Sequence, residues 1–504
     1  MTCEDQIYIR KLLRELQRAE HATVLRCRDE SVSGEALRAL IFQHARVLRG
    51  LGIGRGTLLG MFAPNRPDAI AIRYAAHVLG AATVYLSMPA TEHQRRALVE
   101  QMAPDLLVLF PETIRCLGQS ISVPFATFGI DQVGSRGRLD LLAASVSIDP
   151  LDVSADANDL AVISSSGGST GVPKGSCRSF AVYSAMVSAP SSRDRIQLVN
   201  GPLAYLSQVL VDITLLGAGR VVVHEAFDAK DTLAAIESEK ITDLFLVEPQ
   251  LFELVDHPDV DARDLSSLRS LTHIGASAPK SLRLRARTRL GPIIGRAYGA
   301  SEMGVVSVLA PSDHDPSRSD LFTSAGRILA GVEVRFRGAD GLLAKSGEAG
   351  VIEVNSPAMA IGYRNNPDLS SFSFREGWYH TGDLGRLDGS GFLHILGRAV
   401  DAQEVNGALI TPTEIEEALC CHPSIRYAVV IRDAEANITI AAVVAWPGFS
   451  VDDQECRRIV AASFGDAIAA SLRAFRIDRV PLTERGKPDR MAIKQLANRS
   501  PLAA

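Results

Sequence analysis

Cysteine is scarce and falls into no framework. Seven occur in 504 residues, none in a Cys-x-x-Cys pair, and Cys420 stands directly beside Cys421. That spacing excludes a disulfide scaffold and a structural zinc site, and reduced thiols in a cytoplasmic protein are expected. The opening MTCEDQ carries acids and lacks an apolar core, so no secretory signal is expected there. No long apolar run is present either. A long uncharged stretch, Ile196 to Val211, is broken by Gly201–Pro202 and polar residues, which reads as buried strand and helix rather than a membrane span. An excess of positive charge is also missing. At a net −5 there is no electrostatic reason to expect nucleic acid or an anionic membrane as a partner.

What remains is ordinary globular material, 46% hydrophobic and long enough for more than one domain. From about Thr23 to Gly397, short apolar runs alternate with helical spacing. The runs 57–63, 105–110, 159–166, 220–225 and 242–248 read as strands, and Pro67–Leu79 and Asp231–Lys240 read as helices. Alternation of this kind predicts α/β layers. After Ala325, hairpin-like alternation at 331–343 and 350–356 predicts a β-rich subdomain. Beyond Arg398 a smaller α+β unit is expected, with a helix at Thr413–Cys421 opened by Pro412. Strands at Ala428–Ile431 and Ile438–Ala445 and one long helix near Asp452–Leu472 follow. The predicted division is 1–398 and 399–504.

The sharpest local signal is SSSGGSTGVPKG, Ser164 to Gly175, at the end of an apolar run. Its glycines let backbone N–H groups converge, its hydroxyls add donors, and Lys174 adds positive charge, a set suited to a polyphosphate. It is not a Walker loop, because no Gly-Lys-Ser/Thr closes it. Gly167-Gly168-Ser169-Thr170-Gly171 fits the Gly-x-Ser-x-Gly of a hydrolase elbow with Ser169 as nucleophile. That elbow needs a helix immediately afterwards, and Pro173 opposes one. A ligand-free Ser/Gly linker is the plainer alternative.

The loop resembles the phosphate loop of the adenylate-forming superfamily, which includes acyl-CoA synthetases, nonribosomal adenylation domains, aryl-acid ligases and firefly luciferase. Ser166 and Gly167 replace that family's usual Thr and Ser; the rest matches. Further segments resemble the family in the same order: APNRPD (63–68), LGAATVYLSMP (79–89), YGASE (298–302), GVIEVNSPAMAIGYRNNP (350–367), WYHTGDLG (378–385), GFLHILGR (391–398) and PLTERGKPDR (481–490). The resemblance covers most of the chain. Taken alone, Glu302 would be a turn carboxylate, Asp383 a turn acid, Arg398 a surface charge and Lys487 a solvated loop lysine.

The resemblance implies ATP and Mg²⁺ as cofactors and assigns roles. Ser166, Gly167, Gly168, Ser169, Thr170, Gly171 and Lys174 would cradle phosphates, with Thr170 and Ser301 in catalytic contact. Tyr298 would stack on adenine, with Ser277, Ala278, Gly299 and Ala300 completing the nucleotide contacts. Glu302 would hold the metal, Asp383 and Arg398 the ribose, and Lys487 would bridge the substrate carboxylate and the α-phosphate. Val400 would be the pivot of a mobile C-terminal domain, where relatives carry Asp or Lys.

The expected reaction joins a carboxylic acid to AMP and then passes the acyl group to a thiol. Two anions must meet, so positive charge has to be concentrated at the site. The acyl pocket is expected at Tyr205, Ser207, Gly275, Ala276, Ser277, Ala300 and Met303, each of which could equally be core packing. Tyr205 stands where amino-acid-activating relatives place an Asp. An ammonium buried without a counter-charge is costly, so an ordinary α-amino acid is disfavoured; Asp212 is left as a possible reader of a differently placed amine. Glu404, where Lys is common, and the Gly-Lys-x-Asp-Arg ending favour the phosphopantetheine arm of a separate acyl or peptidyl carrier protein over CoA. CoA, and a luciferase-like oxidation of the adenylate, are the alternatives.

Overall fold

The apolar runs form strands that bury both faces, as parallel sheets under helical layers require. Every residue of Leu58–Phe62 is buried, as is every residue of Ala82–Tyr85. In the computed structural model the described residues are 7–86, 91–114, 122–167, 173–275, 278–314, 318–405, 408–483 and 486–499.

Two large sheets make the N-terminal domain. The first has six strands, in the order Phe125–Thr127, Leu106–Leu109, Leu58–Phe62, Ala82–Tyr85, Leu160–Gly167, Pro173–Ser179. All neighbours are parallel except the last pair. The second has nine. Its parallel centre is Thr23–Cys27, Arg220–Val223, Ile196–Val199, Asp243–Val247, Ser270–Ile274 and Ile294–Ala300, and antiparallel strands close each edge. The helix Pro67–Val78 starts with proline at its first turn and an early Asp68, and is buried almost throughout. It shares one apolar core with residues of both sheets, including Leu59, Ala161, Val199 and Val221.

Asn65 ties the ends of these sheets together. Its amide donates to the carbonyls of Gly201 (2.8 Å) and His224 (2.9 Å), and its oxygen accepts from the Leu203 amide at 3.0 Å. A third, antiparallel sheet of Glu333–Arg337, Gly350–Asn355, Phe374–Arg375, Trp378–Leu387 and Leu393–Arg398 forms the expected β-rich subdomain.

After Arg398 comes a small domain built on Ile425–Asp433, Ile438–Ala445 and Leu472–Arg476. Its helix Pro412–Cys420 opens with a capping box between Thr411 and Glu414. The single helix expected over Asp452–Leu472 is two: Asp453–Phe464 and Asp466–Ser471, followed by a strand. Gly465 between them has φ +87, a conformation that ends a helix and that glycine adopts without steric cost.

Candidate active site

Of the expected nucleotide residues, Tyr298, Gly299, Ala300 and Ser301 lie at the C-terminal edge of the nine-stranded sheet, the edge where open parallel sheets present their loops to ligands. Ile294–Ala300 delivers Tyr298 and then turns through Ser301–Met303 into Gly304–Leu309. The Tyr298 hydroxyl donates to Asp383 Oδ2 at 2.8 Å. Arg398 Nη1 reaches Asp383 Oδ1 at 2.9 Å and the Thr381 carbonyl at 2.8 Å. Asp383 and Arg398 are register partners on adjacent strands of the third sheet, which explains their meeting. Burial, and then the carboxylate of Asp383, hold the Tyr298 phenol well above its usual range. For Arg398 burial works the other way, and the neighbouring carboxylate still raises it on balance.

A second constellation surrounds Glu302, whose carboxylate is buried at 8% exposure. Tyr363 donates its hydroxyl to Glu302 Oε1 at 3.1 Å, and the Lys174 ammonium lies 5.6 Å from the same tyrosine ring. Backbone pairing produces this. Ile361 and Arg364 donate to Cys177 and Gly175, Cys177 donates to Gly362, and Ala360 donates to the Glu302 carbonyl. The strand leaving the phosphate loop is thereby laced to the Gly-Tyr segment and to Glu302. Burial, then the charge of Glu302, raise the Tyr363 phenol. Burial pulls the Arg178 guanidinium down to about 10, against the attraction of Glu302. Sequence reading missed Tyr363 as a positioning group; its only signal was its place in GYRNNP.

The third element comes from the tail. Gly275, with φ +100 at the end of Ser270–Ile274, packs against Lys487: a Cβ there would stand 3.1 Å from Lys487 Cε and 3.6 Å from Nζ. The structure therefore brings Lys487 from the C-terminal domain to a residue expected in the acyl pocket. A cavity of about 370 Å³ opens beside Gly486, lined by Asn200, Phe227, Gln250, Glu253, Leu482 and others.

Not every expected residue can be placed. Gly168, Ser169, Thr170, Gly171, Ala276 and Ser277 lie outside the described residues. Ser166 and Gly167 end the strand Leu160–Gly167, paired with Lys174 and Pro173. A strand, not a helix, leaves the loop, so the Ser169 elbow lacks its helix. Tyr205 falls in a π-helical turn, Leu203–Ser207, whose last hydroxyl, on Ser207, donates to the Gly201 carbonyl at 2.9 Å. Ala278 is buried, Gly299 partly buried, and Ala300 exposed at the strand end. Val400 is 82% exposed between the two domains, in the short turn Ala399–Asp401.

Two expectations change. Met303 lines no open pocket: it has no exposure and packs with Val306, Ile352, Val354 and Leu393 in the core under the third sheet. Asp212 is not available to a substrate amine. Its carboxylate accepts from Arg73 (3.0 Å), Tyr74 (2.5 Å), Tyr183 (2.5 Å) and Gln208 (2.8 Å) in a fully buried cluster.

Comparison with known proteins identifies the family. The AMP-binding enzyme family matches residues 12–364, and the AMP-binding enzyme C-terminal domain matches 414–487. A medium/long-chain-fatty-acid–CoA ligase of Mycobacterium tuberculosis is 30% identical, covering 95% of this chain and 88% of that protein. A feruloyl-CoA synthase of Amycolatopsis is 28% identical over 94% of this chain and 96% of its own length. Among solved structures, an amide bond synthetase from Marinactinospora thermotolerans superposes with a TM-score of 0.86 at 30% identity, covering 97% of this chain and 99% of its own. The chain belongs to the AMP-binding enzyme family, the ligases that activate a carboxylate as an acyl-adenylate.

Proposed function

We propose that this enzyme activates a fatty or aryl carboxylic acid that carries no amino group with ATP and transfers the acyl group from the adenylate to CoA. The observation that carries the adenylation step is the contact of Lys487 with Gly275. It supports the reading that a cation from the C-terminal domain meets the carboxylate and the α-phosphate at the end of the strand next to the one bearing Tyr298. Asp383, held by Tyr298 and Arg398, is the acceptor for the ribose hydroxyls. Lys174 faces the phosphates from the loop side.

The donor set around Glu302 fits one magnesium ion carried in with the nucleotide. No group of three or more His, Cys, Asp or Glu that could cage a metal is found among the described residues. Glu302 offers one buried carboxylate, oriented by Tyr363, which is the share of ligands a protein gives an ion held mainly by phosphate oxygens and water. When bound, Mg²⁺ neutralises phosphate charge. The chain's own part is to hold two anions in line and screen their repulsion; no protein nucleophile is needed.

The choice of acid rests on charge. Asp212 is fully engaged, so it offers nothing to an amino group. For the acceptor, the curated relatives named above are CoA ligases, which supports CoA over the carrier protein expected from Glu404 and the chain ending. Two observations favour a second reading, transfer to an amine. The amide bond synthetase matches nearly full length, and the cavity beside Gly486 carries Glu225 and Glu253 against a single Arg479. The test is AMP release with octanoate, ferulate or benzoate, supplied with CoA, a primary amine, or a phosphopantetheinylated carrier. An acyl-CoA product supports the proposal, and an amide or a carrier thioester as the sole product replaces it.

A further inference from the structure

The helix Glu248–Val255 is gripped at both ends by the C-terminal domain. At its start, Val247 and Gln250 touch the Lys487 loop: a Cβ on Gly486 would lie 2.7 Å from Val247 Cγ2 and 3.2 Å from Gln250 Nε2. At its far end, Asp256 meets Arg426. Arg426 Nε lies 3.1 Å from Asp256 Oδ2, and the same carboxylate takes Arg285 through both oxygens at 3.2 and 3.0 Å. The Asp256 side chain is 2% exposed, so these charges meet away from bulk water. The Arg426 guanidinium also lies 4.5 Å from the Phe252 ring and 5.5 Å from Trp446, and the backbone carbonyl of Arg426 accepts from Arg285 at 3.3 Å. Next to it, Tyr427 stacks on Phe252 with centroids 4.6 Å apart.

One point of contact between two bodies fixes a position; two fix an angle. The eight-residue helix separates its two grips by about 12 Å at 1.5 Å per residue. Loss of the far grip leaves the two bodies joined by the Val247 contact, the Tyr427–Glu248 bond and the apolar cluster around Phe252, but removes the charged contact that fixes the far end of the helix. A displacement of ~1 Å at a reacting group is enough to cost about a hundredfold in rate.

We propose that Arg426, held by Asp256 and enclosed by Phe252 and Trp446, is a positioning residue for adenylation. It sets the angle at which the C-terminal domain delivers Lys487 to Gly275. The proposal rests on the role given to Lys487 above. It separates the two chemical steps, because only adenylation brings two anions together and so needs that lysine placed. Attack of the acceptor on a finished adenylate has no such encounter.

The experiment measures both steps in Arg426→Ala, Arg426→Lys, Asp256→Asn and Lys487→Ala. Adenylation is read as acid-dependent pyrophosphate exchange, using the most active acid among octanoate, ferulate and benzoate. The second step is read as AMP release from the presynthesised adenylate of that acid plus CoA. The expected result for Arg426→Ala and Asp256→Asn is an exchange rate down about tenfold or more through kcat, with KM for ATP within about twofold. The supplied adenylate is consumed at nearly the parent rate, and Arg426→Lys recovers part of the exchange. Equal losses in both steps would mark a purely structural role and overturn the proposal. So would undiminished exchange in Arg426→Ala and Asp256→Asn. If Lys487→Ala abolishes exchange while these variants keep it, only the positioning role of Arg426 falls. If Lys487→Ala itself exchanges normally, the reading of Lys487 falls first.

Discussion

Gly275 and Lys487 approach so closely across the two domains that a single methyl group at position 275 would meet Cε at 3.1 Å. The backbone there is also at φ +100, where an L side chain is strained. Gly275→Ala is therefore expected to lower stability by about 1–3 kcal/mol and to reduce pyrophosphate exchange at least about tenfold by displacing the lysine. Thermal unfolding and exchange on the same preparation check this. Parent-like exchange would show that the contact does not matter to the reaction.

Asp383 has two fixed donors, Tyr298 and Arg398, and its proposed task is to accept from the nucleotide's ribose. Asp383→Ala removes an anionic acceptor and should raise KM for ATP about tenfold or more, since hydrogen bonds to charged groups contribute about 1.5–3 kcal/mol. Tyr298→Phe removes one orienting bond and should do less. Steady-state kinetics with varied ATP reads both.

Tyr363 holds Glu302 through one hydroxyl. If Glu302 is the metal carboxylate, Tyr363→Phe should raise the magnesium concentration needed for half-maximal activity by about tenfold, the usual scale for a residue that orients a ligand. Glu302→Gln should be more severe. A magnesium titration of initial rate distinguishes this from general damage, which would lower the plateau without moving the midpoint.

Glu248 is buried at the domain interface, where it accepts from Tyr427 at 2.5 Å. Burial pushes its carboxyl up to about 8, against the downward pull of the Tyr427 bond, with Glu416, Arg296 and Arg283 also facing it. Its pKa is raised in the folded state, so the group binds its proton more tightly there. The stabilisation is complete below the ordinary value of about 4.3 and is lost as pH climbs through about 8. The slope from one such group is at most about 1.4 kcal/mol per pH unit. Glu416, pushed up to about 7 by burial, adds in the same sense. Unfolding measured from pH 5 to 9 should show Glu248→Gln with a shallower decline than the parent; identical slopes would contradict the assignment.

Asp212 and Arg73 form a fully buried pair. Asp212→Ala should leave Arg73 uncompensated and destabilise by about 3–5 kcal/mol, with no new acceptance of amino acids. A change of acid preference at unchanged stability would return Asp212 to the pocket.

Much of this was legible in the sequence, for physical reasons. Runs such as 57–63 had to be strands, because both faces are apolar and the flanking helices supply cover. The loop at 166–175 and the acids at 302 and 383 stood out only because their segments resemble one family in the same order, since each alone has an ordinary turn or loop role. What escaped notice depends on direction and register. Whether Asp212 faces a substrate or Arg73, and whether Met303 faces a pocket or the third sheet's core, is set by which side of an element each occupies. Tyr363 reaches Glu302 only because Cys177 and Gly362 pair across distant segments. The break at Gly465 depended on one glycine adopting positive φ.

The most direct test of the proposed chemistry is acid-dependent pyrophosphate exchange by Lys487→Ala, with ATP binding measured calorimetrically alongside. The expected result is exchange reduced to background while ATP affinity stays within a few-fold of the parent. Near-normal exchange would contradict it, because the two anions would then have been brought together without the cation from the C-terminal domain.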